Sequence, residues 1–99
     1  MNYKEIEPYH QNLIDLVTKH FPSCRLYLFG SRATQTNTPH SDIDLAIDCG
    51  QEIPSRDLSE LTDAIDTLNI PFCVDVVDIH NTSPIMVEQI NKYGILWKK

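Results

Sequence analysis

Apolar positions change their spacing along the chain, from every third or fourth residue to every second and back, and the changes mark its elements. Leu13, Ile14, Leu16, Val17 and Phe21 form a stripe close to the helical period. It predicts a helix from Pro8 to His20, with Pro8 in its first turn and Pro22 closing the segment. "RLYLFG" then predicts a buried strand that stops at Gly30. Residues 31–41 are polar and contain Pro39, which predicts a loop opening with a short helical turn. In "DIDLAID", Ile43, Leu45 and Ile47 alternate with Asp42, Asp44, Ala46 and Asp48, the pattern of a strand with one apolar and one solvated face.

Leu58, Leu61, Ile65 and Leu68 make an apolar seam, so Ser55 to about Leu68 reads as a core-packed helix. "PFCVDVVDI" predicts a further strand. "SPIMVEQINKYG" predicts a last helix, with Ser83 as its cap, Pro84 at its first position and Gly94 just past its end. "ILW" follows as a short extended tail. The order α-β-(α)-β-α-β-α implies an α/β (α+β) fold, a small mixed β-sheet packed by helices. At 99 residues the chain has room for one domain, 1–99.

Charge and cysteine usage narrow the classes. A net charge of −6 argues against direct nucleic-acid binding and suits a protein that holds cations or docks on a basic partner. Cys24, Cys49 and Cys73 are odd in number with no CxxC pair, and read as reduced core thiols in the cytoplasm. "MNYKEIEPYH" has no apolar leader region, and no run approaches the roughly 20 apolar residues of a membrane helix.

The candidate chemistry lies in "GSRATQTNTPHSDIDLAID". Asp42 and Asp44, two apart on a strand, point the same way. At about 5 Å in an effective dielectric near 20 their repulsion is about 3 kcal/mol, which invites neutralisation by a proton, a basic residue or a cation. Carboxylates combined with substrate phosphates suit Mg²⁺. Gly30 lets backbone approach a phosphate closely, and the turn amides and the Ser31 hydroxyl can hold phosphate oxygens.

Gly30-Ser31, ten residues and then Asp42-x-Asp44 match the GSx10DxD signature, and with "FGSRA", "SDIDLAID" and "VDVVD" the chain resembles nucleotidyltransferases related to DNA polymerase beta. More narrowly it resembles the minimal nucleotidyltransferases (MNT), antitoxin partners of HEPN proteins. The resemblance implies two Mg²⁺ ions on Asp42, Asp44 and a third carboxylate, ATP as nucleotide donor, and Gly30, Ser31 and Arg32 around the triphosphate. It also implies transfer of AMP to a tyrosine of a small helical HEPN toxin encoded nearby, within a hetero-oligomer. Where many relatives carry a glycine after the serine, this chain has Thr34, Gln35 and Thr36.

Asp75 and Asp78 compete for the third carboxylate, and their odd spacing puts them on opposite faces of a strand. Asp75 is favoured by the family pattern, and because a carboxylate in mid-strand needs a partner more than one at a strand end. Arg32 could touch a phosphate or bridge to a site aspartate. His40 reads as a loop residue, Asp48 as solvated or a strand-end cap, and Tyr93 and Trp97 as either core or a partner surface. Two other functions fit the sequence: a non-catalytic module that neutralises a helical partner by occlusion, and a sugar or antibiotic nucleotidyltransferase that has lost its acceptor domain.

Overall fold

The computed structural model describes residues 5–99; what the sequence suggests for residues 1–4, as part of the domain and of the leader-free start, lies outside the described residues. The elements run α1 (Glu7–His20), β1 (Arg25–Phe29), α2 (Ser31–Thr34), β2 (Ile43–Asp48), α3 (Ser55–Asp66), β3 (Val74–Asp78), α4 (Pro84–Tyr93) and β4 (Ile95–Lys98). The expected mixed sheet is present, ordered β3-β2-β1-β4. β1 is antiparallel to both β2 and β4, and β2 is parallel to β3. The tail is therefore a strand: Leu96 and Ile95 pair with Tyr27 and Leu28, and the Lys98 ammonium donates to the carbonyls of Pro22 (3.0 Å) and Cys24 (2.6 Å).

The alternation in β2 sorts the two faces. Ile43, Leu45 and Ile47 are fully buried with Leu26, Leu28, Leu13 and Val17 of α1, and Leu61 and Ile65 of α3. Each such side chain contributes about 1.5–3 kcal/mol on burial. The opposite face is not simply solvated. Ala46 is buried there with Phe29, Ile79 and Ile90 of α4, and Tyr27, Val77 and Met86 pack around them. The small Ala46 side chain leaves room for the helix to lie on the sheet.

Local chemistry sets the boundaries of α4. The Ser83 hydroxyl accepts from the Met86 amide at 3.2 Å, satisfying a free helix-start donor. At the other end the Gly94 amide donates to the Ile90 carbonyl at 2.8 Å. A β-carbon on Gly94 would collide with that carbonyl, so glycine is required for the immediate turn into β4.

Two expectations change. Cys24 and Cys49 are joined in a disulfide, and only Cys73 is free, on the surface. The antiparallel register explains the pairing: Arg25 faces Asp48, so the next positions outward bring Cys24 and Cys49 together. The cytoplasmic assignment thus loses the support of three reduced thiols. The second change concerns Asp78, which is buried at 4% exposure, while mid-strand Asp75 is exposed. The Asp78 carboxylate accepts from the amides of Ile53 (2.7 Å) and His80 (2.9 Å), and so fastens the connection into α3. Asp48 caps the same end, accepting from the Gly50 amide (2.9 Å) and contacting His80 Nε2 (2.7 Å). The amide and His80 hold its carboxyl below the usual range. Among the described residues, no helix is long and apolar enough to cross a membrane.

Replacing Asp78 with alanine strands the buried Ile53 amide. The expected cost is about 1–3 kcal/mol, read as a lower midpoint in urea unfolding. A midpoint within error of wild type would show that water replaces the carboxylate there.

Candidate active site

Register brings the acidic residues together. Asp44 is the direct neighbour of Asp75 across the parallel β2–β3 pair, and of Phe29 across β1. Asp44 and Asp75 both line a cavity of about 500 Å³ on the outer sheet face, with Phe29, Gly30, Thr34, Val77 and three residues of α4. Asp42 lies two residues before Asp44, exposed at the mouth of the strand. Asp78 does not line this cavity; its carboxylate holds backbone amides on the other side of the sheet.

The electrostatics record this crowding. The half-buried Asp44 carboxyl is pushed up to about 6, first by loss of water, then by the charges of Asp75 and Asp42, with Arg32 opposing. Like charges on adjacent strands destabilise unless something neutralises them. Among the described residues no three His, Cys, Asp or Glu side chains form a ready metal cage. Magnesium does not need one, since it commonly takes one or two carboxylates and completes its shell with water and phosphate. A half-desolvated carboxylate with two acidic neighbours fits such an ion.

Gly30 carries the turn between β1 and α2. Its φ of 75° and ψ of −158° lie where side-chain-bearing residues are strained. A β-carbon there would run into the Asp44 carboxylate, with the Asp44 Cγ only 3.1 Å away. Ser31 follows at the first helical position, where backbone N–H groups lack intrahelical partners. The Gly30 carbonyl accepts from the amides of Ala33 (3.1 Å) and Thr34 (3.2 Å), which closes the short helix.

Arg32 goes elsewhere. It is buried, donates through Nε (3.1 Å) and a terminal nitrogen (2.8 Å) to the Ser41 carbonyl, and lies over the Phe72 ring at 4.7 Å. Its ion pair is with Glu5 at 3.8 Å, not with a site aspartate. Arg32 therefore pins the end of the loop that delivers Asp42 and Asp44, and acts on Asp44 through charge. The loop turns without glycine: Gln35 takes the left-handed conformation at φ 61°, and the Thr36 amide donates to the Ser31 carbonyl at 2.9 Å. His40 is exposed on that loop. Trp97 packs edge-on against His10 at 4.4 Å, on the core side, whereas Tyr93 is 44% exposed on the cavity rim. Sequence reasoning missed the helix wall formed by Met86, Gln89 and Tyr93. Its one signal was their spacing of three and four residues, which puts them on one side of α4.

Two outcomes follow from this geometry. Between pH 4 and 6 the native state keeps a proton on Asp44 that the unfolded chain releases, so stability falls as pH rises through that window. The full shift corresponds to about 3 kcal/mol, and screening of a half-exposed carboxyl brings this to about 1 kcal/mol. In metal-free buffer at pH 7, Asp44→Asn should melt about 4–8 °C above wild type, with the gap closing toward pH 4. A gap independent of pH would remove Asp44 as its cause. Gly30→Ala should cost about 1–3 kcal/mol through its backbone conformation and its clash with the Asp44 carboxylate, read as a lower melting temperature. Unchanged melting would contradict the close approach.

The profile of the polymerase beta nucleotidyltransferase family matches residues 11–98. No curated protein matches the sequence. Among solved structures, a toxin–antitoxin with AMP-PNP superposes with a TM-score of 0.76 at 26% identity, over 89% of this chain and 71% of that one. A mutant of the MntA–HpeT toxin–antitoxin gives 0.73 at 28% identity, over 87% and 68%. A protein described as a minimal nucleotidyltransferase gives 0.73 at 23% identity, over 96% and 95%. With the match running through both acidic strands, this chain belongs to the polymerase beta nucleotidyltransferase family.

Proposed function

We propose that the protein is an Mg²⁺-dependent nucleotidyltransferase that moves AMP from ATP to a tyrosine hydroxyl of a small helical HEPN toxin, and thereby acts as its antitoxin. The observation that carries this reading is the in-register pair Asp44 and Asp75 beside Gly30 in one cavity. The similarity to toxin–antitoxin structures, one of them with AMP-PNP, supports the choice of partner and donor.

Asp42, Asp44 and Asp75 would hold two magnesium ions, which when bound supply charge neutralisation for the triphosphate. Gly30 and Ser31 receive the phosphates on backbone amides and a hydroxyl. Asp75, an exposed carboxylate beside Asp44, accepts the proton of the incoming hydroxyl. The acceptor oxygen bonds to the α-phosphorus, the bond to the β-phosphate oxygen breaks, and pyrophosphate leaves. Arg32 keeps the delivering loop in place, and the chain contributes mainly positioning. The cavity opens on the surface, so the partner must present its hydroxyl from outside.

The test is transfer from α-labelled ATP with Mg²⁺ to the HEPN-type protein encoded nearby, with Asp44→Asn and Asp75→Asn beside wild type. Wild type should label the partner, and each variant should fall at least about 100-fold. A complex that forms with all three proteins while none transfers label would favour occlusion without catalysis. Activity that survives Asp75→Asn but not Asp78→Asn would move the third carboxylate.

A further inference from the structure

Building on the nucleotidyltransferase reading, we propose that the α4 wall of the cavity is the nucleobase subsite, and that Gln89 makes it select adenine over guanine. The cavity, about 500 Å³, falls in the size range of small-molecule sites. Its two walls differ in chemistry. The sheet side carries Asp44, Asp75 and the Gly30 turn, which suit phosphates and cations. The helix side carries Met86, Gln89 and Tyr93, with Val77 and Phe29 beneath. An apolar floor, an exposed aromatic ring and one neutral amide suit a flat heterocycle. They do not suit phosphate.

The three helix residues form one stripe, because positions 86, 89 and 93 follow the helical repeat. Tyr93 is 44% exposed and can stack on a base whatever its identity. Gln89 is exposed and, among the described residues, its amide is committed to no other group. That amide offers one acceptor beside its donors. Adenine presents a donor at N6 beside an acceptor at N7, which matches it on both points. Guanine presents acceptors at both O6 and N7, so one contact would oppose two acceptors. An arginine at this position would reverse the preference, because its fork contains donors only. Tyr93 thus supplies affinity and Gln89 supplies choice.

The test titrates non-hydrolysable ATP and GTP analogues, with Mg²⁺, into the full chain by calorimetry. Wild type should bind the adenine analogue about 10-fold more tightly or better. Gln89→Ala should bring the ratio near one through loss on the adenine side, and Gln89→Arg should turn it toward guanine. Tyr93→Ala should weaken both analogues by about 10-fold or more and leave the ratio in place. Wild type binding both analogues equally, or a ratio that neither Gln89 variant moves, overturns the subsite and leaves the nucleotidyltransferase reading standing. Wild type binding neither analogue overturns both.

Discussion

The parallel pairing of β2 with β3 sets Asp44 beside Asp75, and the rest of the structure either creates that juxtaposition or tolerates it. A parallel pair needs a crossover, and α3 supplies it. The crossover has to leave β2 at a fixed point. Asp78 and Asp48 secure that end by accepting from the Ile53 and Gly50 amides. The tolerance comes from the other face of the same strand. Ile43, Leu45 and Ile47 are fully buried, and at about 1.5–3 kcal/mol each their burial outweighs the repulsion of about 3 kcal/mol between Asp44 and its strand neighbour Asp42. One strand thus carries the core on its odd positions and the unfavourable chemistry on its even ones.

The even face is itself divided. Near the carboxyl end of β2, Ala46 lies under α4 with Phe29, Ile79 and Ile90. Toward its start, Asp44 and Asp75 are left open to the cavity. The helix therefore does two things at once. Ile90 seals the sheet where the strands need cover, and Met86, Gln89 and Tyr93 stand over the part that stays open. Gly94 fixes where this ends, because only a residue without a β-carbon can turn into β4 against the Ile90 carbonyl.

Much of this was legible in the sequence, for reasons that are local. Helical and strand periods, Ser83 and the prolines mark the elements, and the two-residue spacing of Asp42 and Asp44 needs only one extended strand. What was hidden depends on pairing between distant segments. The disulfide appears only once Arg25 is known to face Asp48. "ILW" reads as a tail until β1 offers it an edge. Ala46 between two aspartates looks like a solvent position until a helix covers it. Arg32, next to the Gly-Ser turn, looks like a phosphate ligand, yet its buried guanidinium is used by the Ser41 carbonyl.

The contest between Asp75 and Asp78 shows how a correct geometric rule can sit beside a wrong energetic one. Odd spacing does divide the two between faces. The argument that mid-strand Asp75 would need a partner more than Asp78 fails, because strand position does not determine depth. β3 is an edge strand, so its middle can face solvent, while its end runs under the connection into α3. Asp78 is the buried carboxylate, and its two amide donors satisfy it where it stands. Asp75 has no such backbone claim on it. Its charge acts instead on Asp44, and that leaves it available to an ion and a substrate. The acid that the fold has already satisfied holds the backbone, and the acid left crowding its neighbour is the one whose charge still needs a partner.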